Sequence, residues 1–534
     1  MSASKWFTLA FSALLYFGLR WRRKRSKLPL PPGPKKLPLV GNLLDIPRER
    51  QWEAYHRWSK ELNSDIIHLD AAGTSIVVLS SMEAIRDIFE QRSSLYSGRL
   101  RLPMLVELMG WDFAFPFMNY GKERMVGITK YIGPSYSSPN IVGVRTEDCS
   151  TRPSTVPPQS NSIRRKQRQC MKSYAGFFKT PHDIMGHFRH LAGALIMDIA
   201  YGIKVLPSED PYIQVIEQAM HNLSNASIPG AFLVDTFPAL KYVPSWFPGA
   251  GFQHKAKEWR KVVREVLEKP FHKTKRSITM GTAQPSFTSL NLHNINESEA
   301  SDVTAQEYLI KGVAATMYAA GADSTVSALG TFVLAMLANP EAQMKAQDEI
   351  DSVIGPGNLP DFTDELSLPY VSAIVKEVLR WRNVTPIAFP HYIAVDDEYR
   401  GYRIPAGSLV IGNTWAILHD KEMYADPHSF NPERFLLDGK LNPAVRDPET
   451  AAFGFGRRIC PGRYMATASI WIAVASMLAA FNIKKAVDED GKEVEPSFEY
   501  SSTGVVSAPL PFKCSITPRS PQVVEVIQAT GGTQ

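Results

Sequence analysis

The chain has 534 residues, is 44% hydrophobic and 21% charged, and carries a formal net charge of +6. That balance excludes a disordered chain, and the length leaves room for a domain that buries a whole cofactor. Residues 1–44 hold nine Lys and Arg and no Asp or Glu, so the rest is near neutral, which argues against a general nucleic-acid binder. The four cysteines, Cys149, Cys170, Cys460 and Cys514, show neither metal-site spacing nor a disulfide framework, as in a reducing compartment.

Trp6 to Leu19 is an uncharged, mostly apolar run. As a helix it covers about 21 Å, and with Met1–Ser4 added it nears the lower limit for crossing a hydrocarbon core of roughly 30 Å. The two readings are a secretory signal and an uncleaved anchor. Where a signal would need small residues for cleavage, the chain runs Arg20-Trp21-Arg22-Arg23-Lys24-Arg25-Ser26-Lys27, a stop-transfer cluster that stays cytosolic. We therefore expect residues 1–27 to be a single-pass anchor. The prolines of Leu28-Pro29-Leu30-Pro31-Pro32-Gly33-Pro34 resist helix and make 28–45 a stiff hinge. The body is expected over 46–515, with 516–534 as a C-terminal tail.

The body opens on a predicted strand pair, Ile66–Leu69 and Ser75–Leu79, around a turn at Ala71-Ala72-Gly73-Thr74. From there to about residue 390 the signals are mainly helical, broken at Asn339-Pro340 and Gly355-Pro356-Gly357. Short strands return near 398–411 and after Glu499. The fold class is mainly α with small β-sheets, in one large domain. Met125–Ile163 is out of place: rich in Ser, Thr, Pro and Gly, with no helical period, it reads as an atypical loop insertion, rare inside a compact domain.

Three stretches carry polar residues where packing alone would not ask for them. Within a helical run from Glu307 to Ala338 lies Ala319-Ala320-Gly321-Ala322-Asp323-Ser324-Thr325. Glycine there costs up to about 1 kcal/mol relative to alanine, and small residues followed by an acid and two hydroxyls suit a helix passing over a flat cofactor. An acid and an alcohol can organise water to deliver protons; close helix packing is the blander account. Glu377 and Arg380, three apart on a predicted helix from Tyr370 to Trp381, share a face. Last comes Phe453-Gly454-Phe455-Gly456-Arg457-Arg458-Ile459-Cys460-Pro461-Gly462. Glycines let backbone N–H groups approach a sulfur, and a helix predicted over 462–480 turns its positive end toward Cys460. Arg458 is placed to meet a carboxylate of the same ligand. A lone cysteine is usually a small buried apolar residue; the ten-residue pattern points instead to an axial thiolate under a haem.

This last run resembles the haem-binding signature Phe-x-x-Gly-x-Arg-x-Cys-x-Gly of the cytochrome P450 family at every fixed position, including Phe453, Gly456 and Gly462. The Ala-Gly-x-Asp stretch, the Glu-x-x-Arg pair and Asn431-Pro432-Glu433-Arg434-Phe435 resemble three further family elements in the right order. The resemblance covers about residues 29–515, and the wording looks like a fungal microsomal member. It implies haem b ligated by Cys460, with Gly454 also in the haem loop. It implies that Arg458, His391 and Arg168 meet haem propionates. A satisfied surface histidine, serving no ligand, is the other reading of His391. The resemblance makes Glu377, Arg380 and Arg434 a buried structural triad, and Asp323, Ser324 and Thr325 the proton-delivering group. Ser324 stands where the family usually has Thr, and serine lacks the methyl that restricts the rotamer. Phe113, Phe115, Ala320, Ile387 and Val505 fall at pocket positions, with Phe117 beside them, although core packing accounts for each alone.

The family helix opened by Trp-x-x-x-Arg is interrupted. Arg164-Arg165-Lys166-Gln167-Arg168 keeps its spacing with Arg164 in place of Trp, and Arg124 occupies another position where that Trp is expected. The segment between is either a surface insertion or a retained intron. The resemblance implies a monooxygenase that puts one oxygen atom of O2 into a C–H or C=C bond of a small lipophilic substrate, in secondary metabolism or xenobiotic oxidation. No Gly-x-Gly-x-x-Gly follows a predicted strand, so electrons are expected from a separate NADPH-dependent flavoprotein reductase on the same endoplasmic-reticulum membrane. Trp246-Phe247-Pro248 and Phe252 form an apolar tip suited to membrane lipid. The sequons at Asn222 and Asn225 would stay unmodified in a cytosolic body. The rival readings are a haem-thiolate isomerase or lyase that needs no reductase, and a non-catalytic haem-binding paralogue. The first has little use for Asp323 and Ser324.

Overall fold

The computed structural model describes residues 28–121, 183–228, 230–295, 303–501 and 505–532. The anchor expected over 1–27, the insertion at 125–163, and Arg124 and Arg168 lie outside these residues. The main helices are α1 (Gln51–Glu61), α2 (Ile184–Tyr201), α3 (Pro211–Ala226), α4 (Gly251–Thr279), α5 (Phe287–His293), α6 (Val303–Ala338), α7 (Pro340–Ile354), α8 (Pro369–Trp381), α9 (Arg463–Ala480) and α10 (Pro521–Gly532). Strands β1 (Ile66–Ala71) and β2 (Thr74–Leu79) pair antiparallel around the expected turn, with Ala71 opposite Thr74. Ala72 and Gly73 supply the positive φ that the tight turn demands.

The segment expected to hold strands near 398–411 forms four short ones: β3 (His391–Tyr392), β4 (Asp397–Tyr399), β5 (Tyr402–Ile404) and β6 (Leu409–Gly412). β2 joins β6 in parallel and β6 joins β3 antiparallel, giving a four-stranded sheet in the order β1-β2-β6-β3. β7 (Phe481–Val487) lies between β8 (Glu493–Val494) and β9 (Cys514–Pro518) in a second sheet. The boundary expected at 515/516 therefore falls inside β9. The segment after it is no loose tail, because α10 buries Val523 and Ile527, four residues apart on one face.

Helices α6 and α9 are apolar all round, the mark of helices packed on every side. Both are long and apolar enough to cross a membrane, and both bury 72% of their most apolar window inside the protein. Proline at position 340 stops α6, and Asn339 leaves the helical region at φ −134°. α6 belongs to two cores. Ile310 to Ala322 pack with α2, α3, α4 and the loop 102–114. Val326 to Leu337 pack with α7, α8, α9 and β7. The join falls on Asp323-Ser324-Thr325, all only partly buried. A third core, around Ile85, Phe89, Tyr96 and Phe455, ties the four-stranded sheet to the Cys460 loop.

Candidate active site

The loop before α9 is shaped by two glycines. Gly454 and Gly456 have φ of 75° and 58°. A Cβ on Gly456 would stand 1.9 Å from the carbonyl oxygen of Phe89, so only glycine allows that approach. The loop closes on itself through the Cys460 N–H, which donates to the Phe453 carbonyl at 2.8 Å. Gly462 lies close enough that an added Cβ would sit 3.9 Å from the Cys460 sulfur. Burial pushes the Cys460 thiol up, opposed by the Gly462 N–H and the charge of Arg463. Burial wins, so the thiolate needs a stronger positive partner than the protein supplies. A metal ion at the sulfur is such a partner.

Arg458 reaches away from this loop and donates through Nε to the Ser97 carbonyl at 3.0 Å, through Nη1 to Phe115 O at 3.2 Å, and to Met118 O. Beside it lies Arg99, which sequence analysis did not single out. Arg99 is 5% exposed and donates to the carbonyls of Pro116 at 2.9 Å, Phe389 at 3.3 Å and Pro390 at 2.9 Å. Its guanidinium lies 5.0 Å from the Phe389 ring centroid. Burial, reinforced by Arg458, pushes Arg99 down to about 9. Burial also pushes Arg458 down, to about 10. Among the described residues no carboxylate forms an ion pair with Arg99. Two desolvated cations side by side are costly until an anion joins them. A ligand bearing carboxylates fits this donor set.

His391 joins the same cluster. It is 4% exposed, its ring stacks on Phe89 at 4.1 Å, and Nδ1 lies 2.6 Å from the Tyr96 carbonyl. A carbonyl only accepts, so Nδ1 carries the hydrogen. Burial first, then Arg99, pushes His391 down to about 3, leaving it neutral. Its Nε2 is then an acceptor and meets a carboxylate only by taking up a proton.

On α6, Ala320 is exposed although Ala319 and Ala322 on either side are each 7% exposed. Gly321 lets α6 close on α2, where an added Cβ would stand 3.2 Å from Ile196. The Ser324 hydroxyl donates to Ala320 O at 2.8 Å. Asp323 is pushed up to about 6 by burial first, with Arg189 of α2 opposing and Glu217 of α3 adding to the rise.

Behind the loop, Glu377 and Arg380 are both 0% exposed and paired twice, Nε to Oε2 and Nη2 to Oε1, each at 2.7 Å. Arg434 Nε reaches Glu377 Oε1 at 3.2 Å, and the Asn431 N–H donates to the same oxygen at 2.8 Å. Arg380 also donates to the carbonyls of Leu418, Pro427 and Ser429. Every hydrogen-bonding atom of this buried pair is therefore used.

The pocket positions divide. Phe113 is 1% exposed and packs on Trp111 at 5.6 Å in the core shared with α6. Ile387 packs against the core of Tyr55, Ile67 and Ile411 under the sheet. Phe115, half-buried, gives its carbonyl to Arg458, and Phe117 meets Phe389 edge-on at 5.5 Å. Val505 is half-buried, two residues before Ser507, whose N–H donates to Val384 O.

A family model described as Cytochrome P450 matches residues 161–516. The chain belongs to the cytochrome P450 family. It is 45% identical over 526 residues to Cytochrome P450 monooxygenase 98 of Postia placenta, covering 98% of this chain and 96% of that protein. It is 40% identical over 524 residues to Tryptamine 4-monooxygenase of Psilocybe cyanescens, covering 97% of this chain and 98% of that one. P450 relatives of this kind are monooxygenases, oxidoreductases that incorporate molecular oxygen. As a P450 this chain carries haem iron with a cysteine thiolate as axial ligand, and it works with O2, a redox-partner reductase and a lipophilic substrate.

Proposed function

We propose that Cys460 is the axial thiolate and that the chain inserts one atom of O2 into a C–H or C=C bond of a small lipophilic substrate. The observation that carries this reading is the joint construction of two half-sites. One is the Cys460 thiol, which burial holds protonated until a cation at the sulfur draws off the proton. The other is the desolvated guanidinium of Arg99, which forms no ion pair with a carboxylate among the described residues, with Arg458 beside it. A haem bound between them supplies both charges, and it brings the chemistry that activates O2.

The chain's own residues then divide the work. Arg458, Arg99 and His391, joined by Arg168, bind the propionates. Gly454, Gly456 and Gly462, with Phe453, shape the loop, and the Gly462 N–H steadies the sulfur. Glu377, Arg380 and Arg434 hold the segment behind it. Asp323 exchanges protons near neutral pH, and the hydroxyls of Ser324 and Thr325 orient water toward the reacting oxygen. Phe115, Ala320 and Val505 set the outline of the substrate space, with Phe113 and Ile387 behind it in the cores. Electrons come from an NADPH-dependent flavoprotein reductase. Residues 1–27 anchor the chain in the endoplasmic-reticulum membrane with the body on the cytosolic face. Trp246, 78% exposed, and Phe247, 52% exposed, give the body a second lipid contact. Oxidation of secondary metabolites or foreign compounds is the setting such a substrate range suits.

The test is the Cys460→Ser variant. The reduced, CO-bound protein is expected to show the red-shifted Soret band of thiolate ligation, and the variant to lose it while retaining its fold by circular dichroism. A serine variant that keeps the band overturns the assignment. Turnover that continues without any reductase would favour an isomerase or lyase instead.

A further inference from the structure

After Phe435 the chain forms a short strand pair, Leu436–Leu437 with Lys440–Leu441, and then a loop, 442–447, that returns to α8 at the Lys376–Asp447 ion pair. Between the loop and α8 lies a groove of about 500 Å³. Met423, Phe435, Leu441 and Val445 line it on the apolar side, and Lys376, Arg446 and Asp447 on the polar side. The floor is a small core of its own. Phe435, 2% exposed, packs with Tyr424 and Ala373, and Met423 and Val445 lie against them. The wall is held by hydrogen bonds to the main chain. The Tyr424 hydroxyl donates to the Arg446 carbonyl at 2.9 Å, the Asn442 N–H to the Phe435 carbonyl at 2.8 Å, and the Ala444 N–H to Asn442 Oδ1 at 3.0 Å. A loop tied down at three points cannot collapse onto the floor, so the groove stays open.

The charges on its rim do not balance. Lys376 and Asp447 pair, and their charges cancel. Arg446 forms no ion pair among the described residues. One positive charge is therefore left beside an apolar floor. The next acid along the chain is Glu449. Burial first, then Asp447 and more weakly Glu365 of the 362–367 turn, push it up to about 7, with Lys376 opposing. At pH 6 it is mostly neutral and sets little charge against an incoming anion.

We infer that this groove is a second ligand site, separate from the haem side of α6, and that it takes a small apolar carboxylate. The apolar body would lie on Met423, Phe435, Leu441 and Val445, and the carboxylate on Arg446. An apolar floor alone would accept any hydrophobic molecule of the right size. The unpaired guanidinium selects among them. A neutral ligand leaves it without a partner, a cation is repelled, and a carboxylate supplies charge-assisted hydrogen bonds. A groove of this volume holds a drug-sized molecule or smaller. Asp447 competes with the ligand for Lys376, so the two charged neighbours should act in opposite directions. Removing the charge of Arg446 should weaken binding, and removing that of Asp447 should tighten it.

The experiment uses the full-length, haem-loaded protein in phosphatidylcholine nanodiscs at pH 6, with 1-phenylimidazole saturating the iron so that the haem side is occupied. Calorimetry then titrates 4-phenylbutyrate, and 4-phenylbutanol as its neutral counterpart, with empty discs subtracted. The acid should bind with Kd of about 0.1 mM, within reach of a ligand of about a dozen non-hydrogen atoms. The alcohol should bind about ten-fold more weakly. Arg446→Gln should weaken the acid about ten-fold and leave the alcohol unchanged. Asp447→Asn keeps the oxygen that caps the Glu449 N–H and should tighten the acid about three-fold. Ala444→Trp, at an exposed position on the rim, should abolish binding of both. Bound acid should slow amide exchange over 441–450 about three-fold or more and leave 310–322 unchanged. No measurable acid binding, equal affinity for acid and alcohol, or an acid affinity that neither charge variant moves overturns the site. Protection over 310–322 in place of 441–450 does the same. If Ala444→Trp loses the Soret band of the folded protein, Arg446→Gln and Asp447→Asn still decide.

Discussion

Arg99, buried, and Arg458, partly buried, sit side by side, each held by main-chain carbonyls, and burial first, then Arg458, depresses the proton affinity of Arg99. An anion bound at Arg99, which pairs with no carboxylate among the described residues, would offset that repulsion. Arg99→Leu should therefore weaken haem retention by about ten- to a hundred-fold, the cost of one or two charge-assisted hydrogen bonds. Transfer of haem to apomyoglobin gives the off-rate. A variant that retains haem like wild type would leave Arg99 a purely structural residue.

Burial pushes Asp323 up to about 6 in the folded protein, from the ordinary 3.8 of an exposed carboxyl. Between those values the folded state holds more protons than the unfolded one, so stability rises as pH falls from 7 toward 5. Asp323→Asn should remove that slope and stabilise the protein at pH 7 by about 1–2 kcal/mol. Turnover should suffer, with a larger solvent isotope effect. Urea titrations at pH 5, 6 and 7 check the first claim, and a mutant with the wild-type slope would refute it.

The hydroxyl hydrogen of Ser324 is committed to Ala320 O. Its lone pairs, not its hydrogen, are then free to accept from a water. Ser324→Ala should raise hydrogen peroxide release about two-fold or more per NADPH consumed, with little change in fold stability. Ser324→Thr should restore coupling, since the methyl narrows the rotamers. Unchanged peroxide in both variants would pass the role to Thr325.

Glu377→Gln breaks a pair with no water to fall back on. Arg380 and Arg434 would lose their carboxylate while staying buried, at a cost of about 3–5 kcal/mol. Arg380→Lys should do nearly as much harm, because lysine cannot make the two parallel bonds. Thermal unfolding of the haem-loaded protein measures both. Loss of under about 1 kcal/mol in either would show that the segment behind Cys460 is held by packing alone.

Much of this site was legible because its signals are local. The strand pair at 66–79, the helix carrying Glu377 and Arg380, and the glycines around Cys460 each declare themselves within a dozen residues. Arg99 declares nothing by itself. It becomes a site residue only because Gly98 bridges to Tyr392, where a Cβ would stand 2.6 Å from the carbonyl oxygen, and that pairing spans most of the chain. Strand signals after Glu499 are local as well, but that Cys514–Pro518 pairs with Phe481–Lys485 is not, and so the body's end fell inside the strand. The last helix was not beyond reach, since Pro521 at its first turn and the spacing of Val523 and Ile527 are ordinary helix signals. The phenylalanines at 113, 115 and 117 fall at or beside pocket positions by resemblance, with core packing as the alternative; Phe113 lies in the core and the other two are half-buried.

The division of α6 between two cores has an evolutionary consequence. Ile310–Ala322 share a core with the loop 102–114 and α3, while Val326–Leu337 are locked among α7, α8, α9 and β7. Side chains in the first group can drift in size and shape while the second keeps its packing, because neighbouring substitutions couple strongly only within contact distance. One helix thus joins two halves whose packing can change separately, so a substitution in Ile310–Ala322 need not be matched by one in Val326–Leu337.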